Sequence, residues 1–190
     1  IPMIATPQEN LLRTQFGAKL FQSLAAVEPE AALKRLKKTV GTWSKDELHR
    51  FTTGRREVIW TLEQVSQWKH LFSDAARLLL LLAETENEVW TNNATGVFVD
   101  LFTISLHPEL SSTELPFKER FPILKEAIES QSEAKRAIGL RACKQALSQK
   151  TWGHIKTRPQ LYGPKPQNWV PKTYKELFDS YKLVWQYLYT

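Results

Sequence analysis

The sequence predicts an all-α fold of antiparallel helix pairs. Only seven glycines occur in 190 residues, and the stretch from Arg55 to Thr95 contains neither Gly nor Pro. An all-β chain needs turn residues far more often, about every 8–12 positions. Apolar residues recur at i, i+3 and i+4 through most of the chain, the spacing that gives a helix one apolar face. Several of these runs are preceded by residue patterns that start helices.

The elements follow in order. Thr6-Pro7-Gln8-Glu9 reads as a helix start, with Thr6 as cap and Pro7 at the first helical position. Leu12, Phe16, Leu20 and Leu24 then line one face. A second helix runs from Pro29 to about Gly41 through Ala32, Leu33 and Leu36, with basic residues in its last turns, where the helix dipole favours them. Ser44-Lys45-Asp46-Glu47 is a capping box. Its helix holds Leu48 and Phe51 and is interrupted at Gly54, after which Val58, Ile59, Leu62 and Val65 resume the pattern. Phe72 to Ala83 is apolar nearly all round and is expected to be the most enclosed helix. Asn92 or Asn93 caps the next, which carries Val97, Phe98, Leu101, Phe102 and Ile104.

His107 to Pro116 is loop-like. Phe121, Leu124, Ala127 and Ile128 mark a helix, Ser130 to Glu133 a turn, and Ala134, Ala137, Ile138, Ala142 and Leu147 another helix. Between Thr151 and Pro171, Gly153, Pro159, Gly163, Pro164, Pro166 and Pro171 break the pattern. A last helix holds Tyr174, Leu177, Phe178, Tyr181, Val184, Trp185 and Leu188. One domain is expected: a helical core over residues 1–150, a basic Pro/Gly-rich loop over 151–172, and a final helix over 173–190 packing on the core.

Leu62, Val65, Ala75 and Ala76 can be laid over Leu124, Ala127, Ala137 and Ile138 at an offset of 62 residues. Each set is an apolar helix, a short polar turn and an Ala-rich helix. The likeness suggests a HEAT-like α-solenoid, whose units run to about 40–47 residues; an irregular helical bundle is the alternative.

The charge is +6 overall and segregated. Ser73 to Glu133 holds eleven acidic and four basic residues. Ala134 to Lys172 holds nine basic residues and no acidic one: Lys135, Arg136, Arg141, Lys144, Lys150, Lys156, Arg158, Lys165 and Lys172. Neighbouring helices of opposite charge would complement each other. Alternatively the basic stretch, interleaved with Trp152, His154, Tyr162 and Trp169, forms a surface for an acidic partner or for nucleic acid, since aromatic rings stack bases and cations hold phosphates. The candidate binding residues are therefore Lys135, Arg136, Arg141, Lys144, Lys150, Trp152, Lys156, Arg158, Tyr162, Lys165 and Trp169.

No catalytic site is readable. The chain lacks GxSxG, Walker and GxGxxG patterns, and His49, His70, His107 and His154 do not have the spacing of a metal-binding helix. Glu84, Glu86, Glu88 and Asp100 cluster near three asparagines, yet lack the glycine turn and terminal Glu of a calcium loop. They read as solvated acids beside a helix cap. Cys143 alone can form no disulfide within the chain, and beside Ala142 it reads as a buried packing thiol. Gly54-Arg55-Arg56 reads as a helix interruption with exposed arginines. Trp60 and Trp185 fall in helical patterns and are expected in the core. Trp43, Trp90, Trp152 and Trp169 fall at element ends or in loops, where they either pack beneath a loop or anchor a partner.

No enzyme activity, metal or cofactor is expected. The densest apolar run, Leu78 to Ala83, is too short to span a bilayer, and no signal peptide is visible. A reducing, cytoplasmic setting is expected. The first residue is Ile1 rather than Met, which fits a segment of a longer protein.

The stretch Ala83-Glu84-Thr85-Glu86-Asn87-Glu88-Val89-Trp90-Thr91-Asn92-Asn93-Ala94-Thr95-Gly96, together with Ala134 to Leu147, resembles helical-repeat regions of large multidomain bacterial proteins, some of which accompany NTPase or defence modules. The likeness extends over Leu33 to Leu147 and leaves out the Pro-rich loop and last helix. It implies a sensing or scaffolding segment whose parent carries any enzymatic activity elsewhere, and it carries over no functional residue. The expected role is a non-enzymatic interaction or scaffold domain that binds a protein partner or a neighbouring domain. The alternative is a helical nucleic-acid-binding module using the surface of residues 134–172.

Overall fold

The computed structural model describes residues 11–108, 110–148 and 166–189, and among these it is all-helical, with no strand. The helices are α1 (Gln15–Ala25), α2 (Pro29–Lys38), α3 (Lys45–Arg50), α4 (Arg55–Val65), α5 (Phe72–Glu84), α6 (Ala94–Asp100), α7 (Phe117–Ile128), α8 (Glu133–Leu147) and α9 (Tyr174–Tyr189), with a 3₁₀ turn at Val40–Thr42. The helix start at Thr6-Pro7 lies outside the described residues.

Local chemistry sets most boundaries. At α3, the Ser44 hydroxyl accepts from the Glu47 amide while the Glu47 carboxylate accepts from the Ser44 amide, a complete capping box. Asn93, not Asn92, caps α6 by accepting from the Gly96 amide, and Ser132 caps α8 through the Lys135 amide. Gly54 breaks the chain between α3 and α4 at φ +81°, and a Cβ there would lie 2.1 Å from the Leu12 carbonyl oxygen. Only glycine satisfies both conditions.

The packing order is continuous. α1 packs on α2 and α4; α4 packs on α5; α5 touches α6, α7 and α8; α7 packs on α8; and α9 lies across α7 and α8. The residues matched at the 62-residue offset occupy similar places: Leu62, Val65, Ala75 and Ala76 are buried, as are Leu124, Ala127 and Ile138, while Ala137 is exposed. α5 is enclosed as expected, but α4 is enclosed to a similar degree. Buried Arg55, Glu57, Thr61 and Gln64 dilute its apolar pattern in the sequence.

Among the described residues, two arginines are completely buried. Gly54 turns the Arg55 side chain inward, so the expectation of exposed arginines fails at Arg55. Its guanidinium donates to the carbonyls of Leu48 (2.7 Å), Leu82 (2.7 Å) and Thr85 (3.1 Å), at the C-terminal ends of α3 and α5. Those ends carry partial negative charge and lack intrahelical donors, so a buried cation is favoured there. The Glu86 carboxylate lies 3.7 Å away. Burial pushes the Arg55 guanidinium below its ordinary value, and Glu86 and Glu88 oppose that shift.

Arg120 does similar work beyond α6. That helix stops at Asp100, so Phe102 and Ile104 are buried in an irregular segment rather than in a helix. A buried irregular segment exposes its carbonyls to apolar surroundings unless donors reach them. Arg120 donates to the carbonyls of Leu101 (2.7 Å) and Thr103 (3.2 Å), between the rings of Phe117 and Trp169. No described carboxylate pairs with it, and its Nε and Nη2 atoms have no hydrogen-bond partner. Burial pushes its guanidinium down to about 9, still charged at neutral pH.

The difference between the two arginines predicts unequal costs. Arg55→Lys loses the fork that spans two helix ends and should cost about 2–3 kcal/mol. Arg120→Met removes a buried, carboxylate-free charge but leaves the buried carbonyls of Leu101 and Thr103 without a donor, and should cost more, about 4 kcal/mol. Urea denaturation midpoints of the two variants test the ordering.

Candidate interaction surface

The described candidates from the basic stretch do not form one patch. Lys135 turns to the buried carboxylate of Glu84 at 3.2 Å. Arg136 donates to the carbonyls of Ser130 (2.9 Å) and Gln131 (3.0 Å), closing the turn after α7. Arg141 and Lys144 project from the outer face of α8, beside exposed Leu140. Trp169 packs on the core instead. Its amide donates to the Thr113 carbonyl (2.8 Å), and its own carbonyl accepts from Ser111 (2.6 Å). Lys150, Trp152, Lys156, Arg158, Tyr162 and Lys165 lie outside the described residues, as does His154.

Glu84 joins three elements. It sits at the end of α5, accepts from Lys45 of α3 at 2.7 Å, and meets Lys135 of α8. Burial alone would push its carboxyl up, but hydrogen bonds from Lys45, Ser132 and Lys135 outweigh burial and hold it below the usual carboxylate range. Arg77 and Glu126 make a second cross-helix pair, bidentate at 2.8 and 2.6 Å, between α5 and α7.

Within the acidic cluster, read from the sequence as solvated, Glu84 binds lysines and Glu86 binds backbone amides. Glu86 accepts from the amides of Asn87 (3.1 Å), Glu88 (3.2 Å) and Thr95 (3.0 Å). Asn93 donates to the Glu88 carbonyl at 2.8 Å, and Asn87 donates to the carbonyls of His49 and Phe51. Gly96 has no room for a side chain, since a Cβ would meet the Thr91 carbonyl oxygen at 1.9 Å. The loop from Glu86 to Gly96 is therefore tied to itself and to the α3–α4 junction. It presents exposed Val89 and Trp90, with the Arg56 guanidinium between the rings of Trp60 and Trp90.

The tryptophans divide differently from expectation. Trp43 is buried edge-on against Phe51 and covered by Arg13. Trp60 is half-buried. Trp185, expected in the core, is exposed, because α9 carries two apolar arcs and the core takes the one containing Leu177 and Val184.

α1 shows the same inversion. Its small residues Gly17, Ala18 and Ala25 face the protein: a Cβ on Gly17 would lie 2.2 Å from the Leu11 carbonyl oxygen, and Ala18 sits against the Gly54 turn. The ridge of Phe16, Leu20 and Leu24, continued by Val27, points outward, and Phe16 is 78 % exposed. Grouped large apolar residues on a surface mark interaction sites more often than isolated ones do. The signal was legible in part at α9, which carries more large apolar residues than one buried face can hold.

The chain matches no family model, no curated protein and no solved structure. Cys143 is buried and its thiol is pushed up to about 11 by burial, so it is protonated at neutral pH. His70 is exposed and meets Glu30 at 2.8 Å. His49 and His107 are also on the surface. Among the described residues no helix is long and apolar enough to cross a membrane.

The Glu84 network predicts a pH dependence. A carboxyl held below its unfolded value of about 4.3 adds stability that is fully present above that value and lost as the pH falls through the folded value. Glu84→Gln should be less stable than the parent chain at neutral pH. That gap should narrow as the pH falls below about 4.3 and toward the lower folded-state value, which denaturation midpoints across the acid range would measure.

Proposed function

We propose that the chain is a non-enzymatic helical interaction segment that docks on a helical protein partner or a neighbouring domain of its parent. The observation that carries this reading is the outward ridge of Phe16, Leu20 and Leu24 on α1, the first described helix of the packing order. Residues at i, i+4 and i+8 form one ridge, the shape that seats in the groove of a facing helix pair. In this reading α4–α5 and α7–α8 are successive antiparallel pairs of a HEAT-like stack. The α1 ridge is then where an adjoining helical unit sits, since unstacked ends of such arrays expose apolar surface.

A nucleic-acid role has weaker support. Two of the four described basic candidates on α8 are engaged by Glu84 and by backbone carbonyls, which leaves Arg141 and Lys144 facing outward.

Capture on the immobilised chain separates the two. We expect a protein partner that stays bound between about 50 and about 200 mM salt, because an apolar interface responds little to screening. Phe16→Glu with Leu20→Glu should abolish its capture, and Arg141→Glu with Lys144→Glu should leave it unchanged. Steep loss with salt, or dependence on Arg141 and Lys144 instead, would overturn the proposal in favour of nucleic acid.

A further inference from the structure

The last described helix carries a second outward apolar face, separate from the α1 ridge. Tyr174, Phe178, Tyr181, Trp185 and Leu188 are spaced by alternating steps of four and three residues, the a/d spacing of a coiled-coil seam. Leu177, Ser180 and Val184 hold the helix to the body, and the seam lies to one side of that contact. Phe178 is 64 % and Trp185 62 % exposed, and Tyr174, Leu188 and Tyr189 are exposed with them. Beside the seam runs an open, mostly apolar groove lined by Leu147, Phe178, Asp179, Tyr181, Lys182 and Trp185.

We propose that this face pairs with the same face of a second copy of the chain, α9 against α9, antiparallel across a two-fold axis near Tyr181. Phe178 and Trp185 stand on either side of that axis, so each copy's Trp185 meets the partner's Phe178 at the groove. Such a contact is self-complementary and closes at two copies.

The area is sufficient. Aromatic side chains bury about 150–250 Å² each when covered, so the exposed parts of the seam amount to roughly 600 Å² per copy. The pair would bury about 1,200 Å² in total, the lower end of stable specific interfaces. Contacts of this size commonly give association in the micromolar range. A lipid surface fits less well. α9 carries two lysines and two acids, and Lys175 pairs with Asp179 at 2.6 Å, so the helix lacks the cationic face that anionic lipids attract.

The test is sedimentation equilibrium of the full chain from about 1 to about 100 µM. The expected result is a shift from 22.0 kDa to twice that mass. Trp185→Glu and Phe178→Glu should each weaken it by about thirtyfold or more, as loss of a central aromatic contact does. Both positions are exposed, so circular dichroism should show unchanged helix content. Phe16→Glu with Leu20→Glu should leave the dimer intact, which separates this inference from the docking role of α1. A monomer across the whole range would overturn it, whether residues 149–165 of the same chain or nothing covers the seam. A dimer insensitive to Trp185→Glu would overturn it as well. So would binding of the monomer to phosphatidylserine–phosphatidylcholine vesicles that is lost with Trp185→Glu.

Discussion

Backbone carbonyls at helix ends are the difficulty this fold has to solve, and two buried guanidiniums solve it. At or just beyond the ends of α3, α5 and α6, buried carbonyls need donors from elsewhere in the chain. Arg55 serves the first two ends and Arg120 the third, together with the irregular segment beyond it. Neither arginine could be replaced by a shorter donor without leaving a carbonyl unpaired, and unpaired buried carbonyls cost more than a hydrogen bond contributes. The loop from Glu86 to Gly96 depends on this arrangement. Glu86 lies beside Arg55 and collects three amides, so one cation and one carboxylate organise the C-terminal end of α5 and the start of α6.

Charge segregation along the sequence becomes complementarity in space where it can be followed. Glu84 and Lys135 lie on either side of the boundary between the acidic and basic stretches, and they meet across α5 and α8. Lys45 reaches the same carboxylate from α3, joining three elements at one buried acid. Arg77 and Glu126 add a bidentate pair on the surface, where each such contact contributes little alone. A run of like charge thus served in part to hold neighbouring helices together, and only Arg141 and Lys144 of the described basic candidates face outward without such work.

Much of the helical framework was legible because it is local. The Ser44–Glu47 box, the asparagine cap of α6, the turn ahead of α8, the Gly54 break and the apolar run of α5 each rest on residues within a few positions of one another. What could not be read was which apolar face meets the protein. Periodicity reveals that Phe16, Leu20 and Leu24 share a face, but the burial of Gly17 and Ala18 instead depends on the chain at Leu11 and on the Gly54 turn. Trp185 was misplaced for the same reason: α9 has two apolar arcs and only contact with α7 and α8 selects one. Arg55 looked like a surface residue because its partners, Leu82 and Thr85, lie 27 and 30 residues away in sequence. The candidate surface was the least legible part, since a docking face differs from a core face only in having no neighbour.

Amide hydrogen exchange tests the central role of the buried Arg55–Glu86 arrangement most directly. The amides of Asn87, Glu88 and Thr95 should be protected in the parent chain. In Arg55→Lys they should exchange faster together with the last turn of α5, while α7 and α8 keep their protection. Unchanged exchange in that loop, or an equal rise throughout the protein, would contradict the account.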